Sequence, residues 1–542
     1  MASIFKTIPK PRLKRNTFNL SHEVKLTTDF GLLTPILCEP VVPGDTWSCN
    51  TDILIRVAPL LAPVMHRVNV YTHFFFVPNR LIWSNWEKFI TGGPTGTEEP
   101  AYPRIQISSV LDPKEVKAGS LMDYLDFPTL DSEPFIGEDI DQIQNQYFDA
   151  LPFRAYQLIY NEFYRDENLE DEIDISKDVD GLIQDTSYIK SMIAIRSRAW
   201  EKDYFTSALP WTQRGAETTI GLSGDAEVKL VDAGNDRIGK TPSFENGLGE
   251  DIASGNAQFL FREARTLLAN ANSEHSFLNP NGSLYADLSE VNATTINELR
   301  RAIQLQQYKE VLARSGSRYI ELIRGLFGVV SSDARLQRPE FLGGGKTPLP
   351  FGEVLQTSQT TQASPLANMA GRGTAFGSTH SFKKFFEEHG YIIGIMSIMP
   401  KPSYQQGLPR KYYKFDRLDH FIPQFANIGE QEILNQELFY NWSVPAERTE
   451  NTMVFGYTPR YAEYKYLPSR VHGQFKTNLD FWHMGREFER VPLLNHSFIE
   501  MNKDEISRVY AVQDGSNNHL WCMLYHNIKA TRPMPKFGVP LI

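Results

Sequence analysis

Two glycine-rich stretches and a histidine–glutamate cluster are where the residue types of this 542-residue chain could do chemistry. Gly345-Lys346-Thr347 ends like a phosphate-binding loop, in which backbone amides and a lysine cradle phosphates. Such a loop needs a glycine five residues before Gly345, and Glu340 stands there, so a Gly-rich turn is the expected reading. Gly371-Arg372-Gly373 starts like a dinucleotide fingerprint, but Phe376 takes the place of the third glycine and Gly377 comes one position late. His380 and His389 flank Glu387 and Glu388 without the His-Glu-x-x-His spacing that turns two imidazoles toward one zinc ion. No nucleophile-elbow or triad signature occurs. Cys38, Cys49 and Cys522 form neither a disulfide framework nor a zinc pattern, and are expected to be small buried hydrophobes in a reducing cytosol. Nothing in these residues argues for catalysis, a metal or a cofactor.

A different chemistry is open to the N-terminus. Lys6, Lys10, Arg12, Lys14 and Arg15 all precede the first acidic residue, Glu23, and Pro9 and Pro11 keep that stretch extended. It reads either as a solvated tail, the common behaviour of termini, or as an arm that reaches phosphates. The chain as a whole carries a formal charge of -10, which argues against wholesale coating of nucleic acid. The N-terminus lacks the apolar stretch of a signal peptide, and the best apolar run, residues 391–399, is only strand-sized. The protein is expected to stay in a cytoplasm, without membrane insertion.

The elements that would position these residues are mostly strands. Aromatics make up 12% of the chain and stand beside 33 Pro and 36 Gly, which favours a β-rich fold with many turns. Val68, Val70, Thr72, Phe74 and Phe76 alternate with Asn69, Tyr71, His73, Phe75 and Val77, and both sets are apolar or aromatic. Such a strand cannot face water on either side. Pro78 ends it, and Trp83, Trp86 and Phe89 follow at near-helical spacing. Phe74, Phe76, Trp83 and Trp86 are therefore expected to be buried, partly by neighbouring subunits.

Residues 151–164 read as a helix, because Phe153, Tyr156, Tyr160 and Phe163 recur at three- and four-residue steps. The acidic run 166–180 reads as a solvated connection. Residues 215–292 are rich in Gly, Asn, Ser and Asp and suggest an exposed insertion, with one helical interlude near residues 259–268. Thr295-Ile296-Asn297-Glu298 has a capping-box pattern. The helix after it carries Ile296, Leu299 and Ile303 on one stripe and Leu305, Tyr308 and Leu312 on another, which predicts burial beneath other elements. A second helix begins at Tyr319. Strands at both ends with helices between suggest one β-sandwich closed by distant parts of the chain. The expected divisions are a basic arm at 1–22, a first core part with helical loops at 23–214, a surface insertion at 215–292, and the remaining core with a C-terminal arm at 293–542.

The run from His73 to Phe89 resembles the signature of the major capsid proteins of the Microviridae, small single-stranded DNA bacteriophages, and especially of their gokushovirus branch. The resemblance recurs at Val42-Pro43-Gly44-Asp45-Thr46, at Asp203-Tyr204-Phe205-Thr206-Ser207-Ala208-Leu209-Pro210-Trp211 and at Asp333-Ala334-Arg335-Leu336-Gln337-Arg338-Pro339-Glu340. Glu388-His389-Gly390-Tyr391-Ile392-Ile393-Gly394, Tyr404-Gln405-Gln406-Gly407-Leu408-Pro409-Arg410, Arg460-Tyr461-Ala462-Glu463-Tyr464-Lys465 and Arg532-Pro533-Met534-Pro535 continue it. It lapses between residues 215 and 292, where the family carries a variable insertion similar to a surface protrusion near the threefold axes.

The resemblance implies a mainly β fold, an eight-stranded antiparallel jelly roll with long, partly helical loops. It implies assembly through pentamers into a T=1 icosahedral shell in the host bacterial cytoplasm, and no catalysis. The partners it implies are an internal scaffolding protein, a DNA pilot protein, a small basic DNA-binding protein and a circular single-stranded DNA genome. A host receptor would meet the protrusion, and Lys6, Lys10, Arg12, Lys14 and Arg15 would approach the DNA. The competing class is a carbohydrate-binding or carbohydrate-degrading jelly-roll protein. Its aromatic platforms would be exposed, whereas these aromatics lie in two-sided strands.

Overall fold

The chain is described here from a computed structural model. It describes residues 14–107, 115–129, 146–216, 218, 227–230, 258–262, 266–271, 274–277, 284–287, 296–316, 318–355, 357, 369–443, 449–513 and 518–537. The contacts divide the chain into two units, Met1–Thr212 with Ala313–Ile542, and Gln213–Leu312.

Among the described residues, the main strands of the larger unit are β1 (Asn16–Asn19), β2 (His22–Thr28), β3 (Thr34–Val41), β4 (Thr46–Val57), β5 (Val68–Pro78), β6 (Glu340–Leu349), β7 (Phe351–Leu355), β8 (Met369–Phe385), β9 (Gly390–Pro400) and β10 (Leu520–Arg532). They form two antiparallel sheets. In the first, β10 is central: β1 pairs with its C-terminal end and β2 with its N-terminal half, β4 lies on its other side, and β8 and β7 follow. In the second the order is β6-β5-β9-β3. Between the sheets lies a core that includes Trp47, Ile53 and Ile55 of β4, Phe74 and Phe76 of β5, Ile392 and Ile398 of β9, and Leu524 and Ile528 of β10. The protein is mainly β, with antiparallel sheets and helical insertions.

The two-sided apolarity of β5 has a direct cause. Phe74 and Phe76 point into the core between the sheets, while Phe75 and Val77 point the other way into a second core. That second core is roofed by the helix Leu151–Ile159, whose Phe153, Tyr156 and Ile159 are fully buried, and which runs on as a wide π turn, Tyr160–Tyr164. Ile393 and Ile395 of β9 join it from the same face of the sheet. Each fully buried side chain of this size contributes about 1.5–3 kcal/mol of transfer free energy, so water on either face of β5 would be costly. The acidic run 166–180 is tied down more than a solvated connection requires. Trp83 and Asn85 both donate to Asp180, and Asn161 pairs with the backbone of Ile173.

Gly343, Gly344 and Gly345 are not in a turn, as the sequence suggested, but inside β6, paired with Phe74, His73 and Thr72. Glycine is needed there for close approach. A Cβ on Gly345 would stand 2.3 Å from His380 Nδ1. The β8–β4 pairing shifts register between Gly377 and His380, and such shifts re-aim side chains. The His380 ring lies fully buried, hydrogen-bonded to Thr72 Oγ1 at 2.5 Å and Thr347 Oγ1 at 2.8 Å. Gly371 and Gly373 likewise sit in β8.

In the smaller unit the expected helix near residues 259–268 is replaced by strands. Gln258–Arg262 pairs with Thr266–Ala271, which pairs with Glu274–Phe277. Phe259-Leu260-Phe261 is a short consecutive apolar run, which periodicity alone does not assign to helix or strand. A second pair joins Glu227–Leu230 to Leu284–Asp287.

The helix Ile296–Ser315 forms, but the burial expected for it does not occur. Ile296, Leu299, Ile303, Leu305 and Tyr308 are exposed. Arg300, Arg301, Gln304, Gln307 and Glu310 stand between the apolar positions and keep both stripes at a wet surface. Thr295 of the capping pattern lies outside the described residues. The second helix is Tyr319–Phe327, closed by Gly328 in the left-handed conformation.

Candidate functional site

The motif segments meet one another in space. Arg80 Nε donates to Glu388 Oε2 at 2.5 Å and Arg80 Nη2 to Glu388 Oε1 at 3.1 Å, a two-pronged pair that joins the end of β5 to the start of β9. Arg338 lies 3.3 Å from Asp333 and 3.7 Å from Glu162, its guanidinium 4.2 Å over the Phe163 ring. Buried Asp203 accepts at Oδ1 from the amides of Phe205 and Thr206 and at Oδ2 from the Tyr404 hydroxyl, 2.7 Å away. Glu437 accepts from the Tyr204 hydroxyl at 2.9 Å and from Arg410 at 3.3 Å. Burial outweighs these partners and holds its carboxyl above the usual range. Around these pairs Tyr204, Phe205, Tyr404, Ile433, Phe455 and Phe498 form a third core.

Ionised groups used in this way are structural clamps. The thiols are inert: burial pushes Cys38 and Cys522 up to about 12 and Cys49 to about 11. All three are unbridged. Among the described residues no group of three or more His, Cys, Asp or Glu could hold a metal ion, and no helix is long and apolar enough to cross a membrane.

Phe74, Phe76 and Trp83 are buried, and Trp86 is half-buried. The Trp83 indole N–H donates to Asp180 Oδ1 at 2.6 Å, and its ring lies 6.3 Å from that of Trp86 and 5.3 Å from that of Tyr102. Trp86 in turn meets the His389 ring edge-on at 5.6 Å. Lys6, Lys10 and Arg12 lie outside the described residues. Lys14 and Arg15 are exposed, and the Arg15 guanidinium sits 5.5 Å over the Phe385 ring at the end of β8. That contact anchors the root of the arm to the first sheet.

One surface was missed by sequence reasoning. The segment of short turns through Arg410–Tyr412, Arg417–Asp419 and Pro423–Asn427 exposes Tyr412, Phe415 and Phe421, with Tyr464 and Leu467 beside them. Phe415 is 90% exposed, far from what a core residue tolerates. The backbone under it is fixed by the Tyr461 hydroxyl, which donates to Leu418 O and His420 O, and by Arg460, which donates to Leu418 O. The available signal was aromatic residues placed without period among Lys, Arg and Asp.

A comparison with family models matches residues 6–542 to the family described as capsid protein (F protein). The chain is similar to the capsid protein VP1 of Bdellovibrio phage phiMH2K, 38% identical over 549 residues that cover 99% of this chain and 97% of the relative. It is 35% identical to the capsid protein VP1 of Chlamydia phage 1 over 596 residues, covering 100% of this chain and 98% of the relative. To the capsid protein VP1 of Spiroplasma virus 4 it is 31% identical over 563 residues, covering 99% and 96%. With likeness along its whole length, the chain belongs to the capsid protein (F protein) family, in the gokushovirus branch that its motif segments resemble, and its role is that of a structural shell protein.

Proposed function

We propose that this chain assembles through pentamers into a closed T=1 icosahedral shell around circular single-stranded DNA. The observation that supports the reading is the pair of antiparallel strand orders, β2-β10-β4-β8 and β3-β9-β5-β6, which we read as an eight-stranded jelly roll with β1 and β7 as additions. Family membership along the whole chain supports it. In this reading the basic arm, Lys6, Lys10, Arg12, Lys14 and Arg15, turns inward to the genome. Residues 215–292 project outward and meet a host receptor. The chain's negative charge leaves most neutralisation to a small basic DNA-binding protein, and an internal scaffolding protein and a DNA pilot protein complete the set. A carbohydrate-active reading is weaker, because the likeness to capsid proteins runs along the whole chain, although Tyr412, Phe415 and Phe421 are exposed.

The test is native mass spectrometry and negative-stain imaging of the chain expressed with its scaffolding partner. Pentamers and closed shells are expected, and a stable monomer would overturn the reading. Replacing residues 215–292 with a short Gly/Ser linker separates attachment from assembly. Particles that form but no longer adsorb to host cells are the expected result. Normal adsorption would remove the attachment role, and failure to assemble would place the segment in the shell itself.

A further inference from the structure

Three of the motif segments, 203–211, 404–410 and 460–465, help to line a cavity of about 270 Å³ in the larger unit. Its walls include the rings of Phe205, Tyr404, Tyr412 and Tyr466. Its acids are already engaged: Glu437 by Arg410 and Tyr204, and Glu463 by Lys414 at 2.7 Å and Gln431 at 2.8 Å. Its other cations are not paired with acids among the described residues. Lys411, Arg470 and Lys476 also line the cavity, and among the described residues none of the three has a carboxylate partner. Lys476 donates only to the Gln405 carbonyl, and Lys411 sits 4.7 Å from the Tyr412 ring. Lys411, Tyr412 and Lys476 are exposed, and Arg470 is half-buried.

The result is a small positive, ring-walled pocket in a chain of net charge -10. We infer that it binds one nucleotide of single-stranded DNA, with the phosphodiester against Lys411, Arg470 and Lys476 and the base or sugar against Tyr412 and Tyr466. Cations without counter-charges suit a phosphate, and exposed tyrosine faces suit the flat base beside it. An acidic peptide would use the cations but leave the rings idle. The inference rests on the reading of the chain as a shell around single-stranded DNA and adds a contact point separate from the basic arm.

The experiment uses the full chain, dissociated from particles, and a fluorescein-labelled oligothymidylate read by anisotropy over a salt series. Lys411→Gln with Lys476→Gln removes two exposed charges without touching a core. The affinity is expected to fall roughly tenfold or more, and the slope of log affinity on log salt to shrink by up to about 0.7, the share of one phosphate on a single strand. Tyr412→Ala is expected to lower affinity while leaving that slope unchanged. Thymidine monophosphate separates sources: weak binding that needs the same residues marks a site for a free nucleotide unit as well as for the polymer. Unchanged binding in all three substitutions would overturn the inference. So would a poly-glutamate peptide that binds as tightly as DNA with the same dependence. Failure of the shell reading shows separately, as a chain that stays monomeric when expressed with its scaffolding partner.

Discussion

Arg532 Nε lies 3.1 Å from Asp45 Oδ2, which joins the last of the motif segments to an early one. Asp45 is fully buried, and the same oxygen accepts from the Trp47 indole N–H at 3.2 Å. The Arg532 guanidinium also lies 5.2 Å over the Trp47 ring, so one side chain neutralises the acid and covers the aromatic. Arg532→Ala strands a buried carboxylate and should cost about 3–5 kcal/mol in denaturant melts of the isolated subunit. Asp45→Asn with Arg532→Ala should cost clearly less than the sum of the two single changes. Additive costs would mean that the pair is not coupled.

Trp83 and Trp86 are neighbours with different environments, and the difference is measurable. Trp83→Ala empties a fully buried site and frees Asp180, so a loss of about 3–5 kcal/mol is expected. Trp86→Ala removes a half-buried ring and should cost less than half as much. Equal melting shifts for the two would contradict this assignment of the core.

Histidine burial sets an acid limit on the subunit. Burial is the main cause that pushes His66, His73 and His526 down to about 4, from an ordinary value near 6.5. His526 is held by Thr51 Oγ1 at 2.8 Å and Ile36 O at 2.9 Å, a bridge from the first sheet to the second. Between pH 6.5 and 4 the unfolded chain binds protons that the folded chain refuses. Stability from each histidine is therefore complete above about 6.5 and falls by up to about 1.4 kcal/mol per pH unit as pH drops toward 4. Asp149 and Glu437, whose carboxyls burial holds up, act in the opposite direction. The effect is thus read by difference. His526→Gln should flatten the slope of unfolding free energy against pH in that window, and an unchanged slope would rule the residue out.

Changing Lys6, Lys10, Arg12, Lys14 and Arg15 to Gln should lower genome retention at raised salt more than it lowers shell formation. Binding of intact particles by an antibody to the first fifteen residues would put the arm outside and end that proposal.

The sandwich was legible where chemistry left one option. Both faces of Val68–Pro78 are apolar, so the sequence required protein on both sides, and two cores meet there. Less legible were places where a residue's reason lies in a distant partner. Gly345 reads as a turn residue until His380, 35 positions later, is found where its Cβ would be. The strands at Gln258–Arg262 and Thr266–Ala271 contain Leu, Ala and Arg, which also make good helices, and pairing decided between the two. The Ile296–Ser315 helix was correctly placed, but its apolar stripes do not say what covers them. Hydrogen-bonded carboxylates, such as Asp203 with Tyr404, join residues about two hundred positions apart and have no local spacing to betray them.

The central position of β10 bears on synthesis. Its neighbours β2 and β4 emerge from the ribosome within the first sixty residues, yet each waits for a partner that starts at Leu520. At roughly 5–20 residues per second, that wait lasts on the order of half a minute to a minute and a half. A truncated polypeptide that stops short of Leu520 has two unpaired strand edges where its first sheet should be. Translation of nearly the whole message therefore precedes any subunit able to close its sandwich.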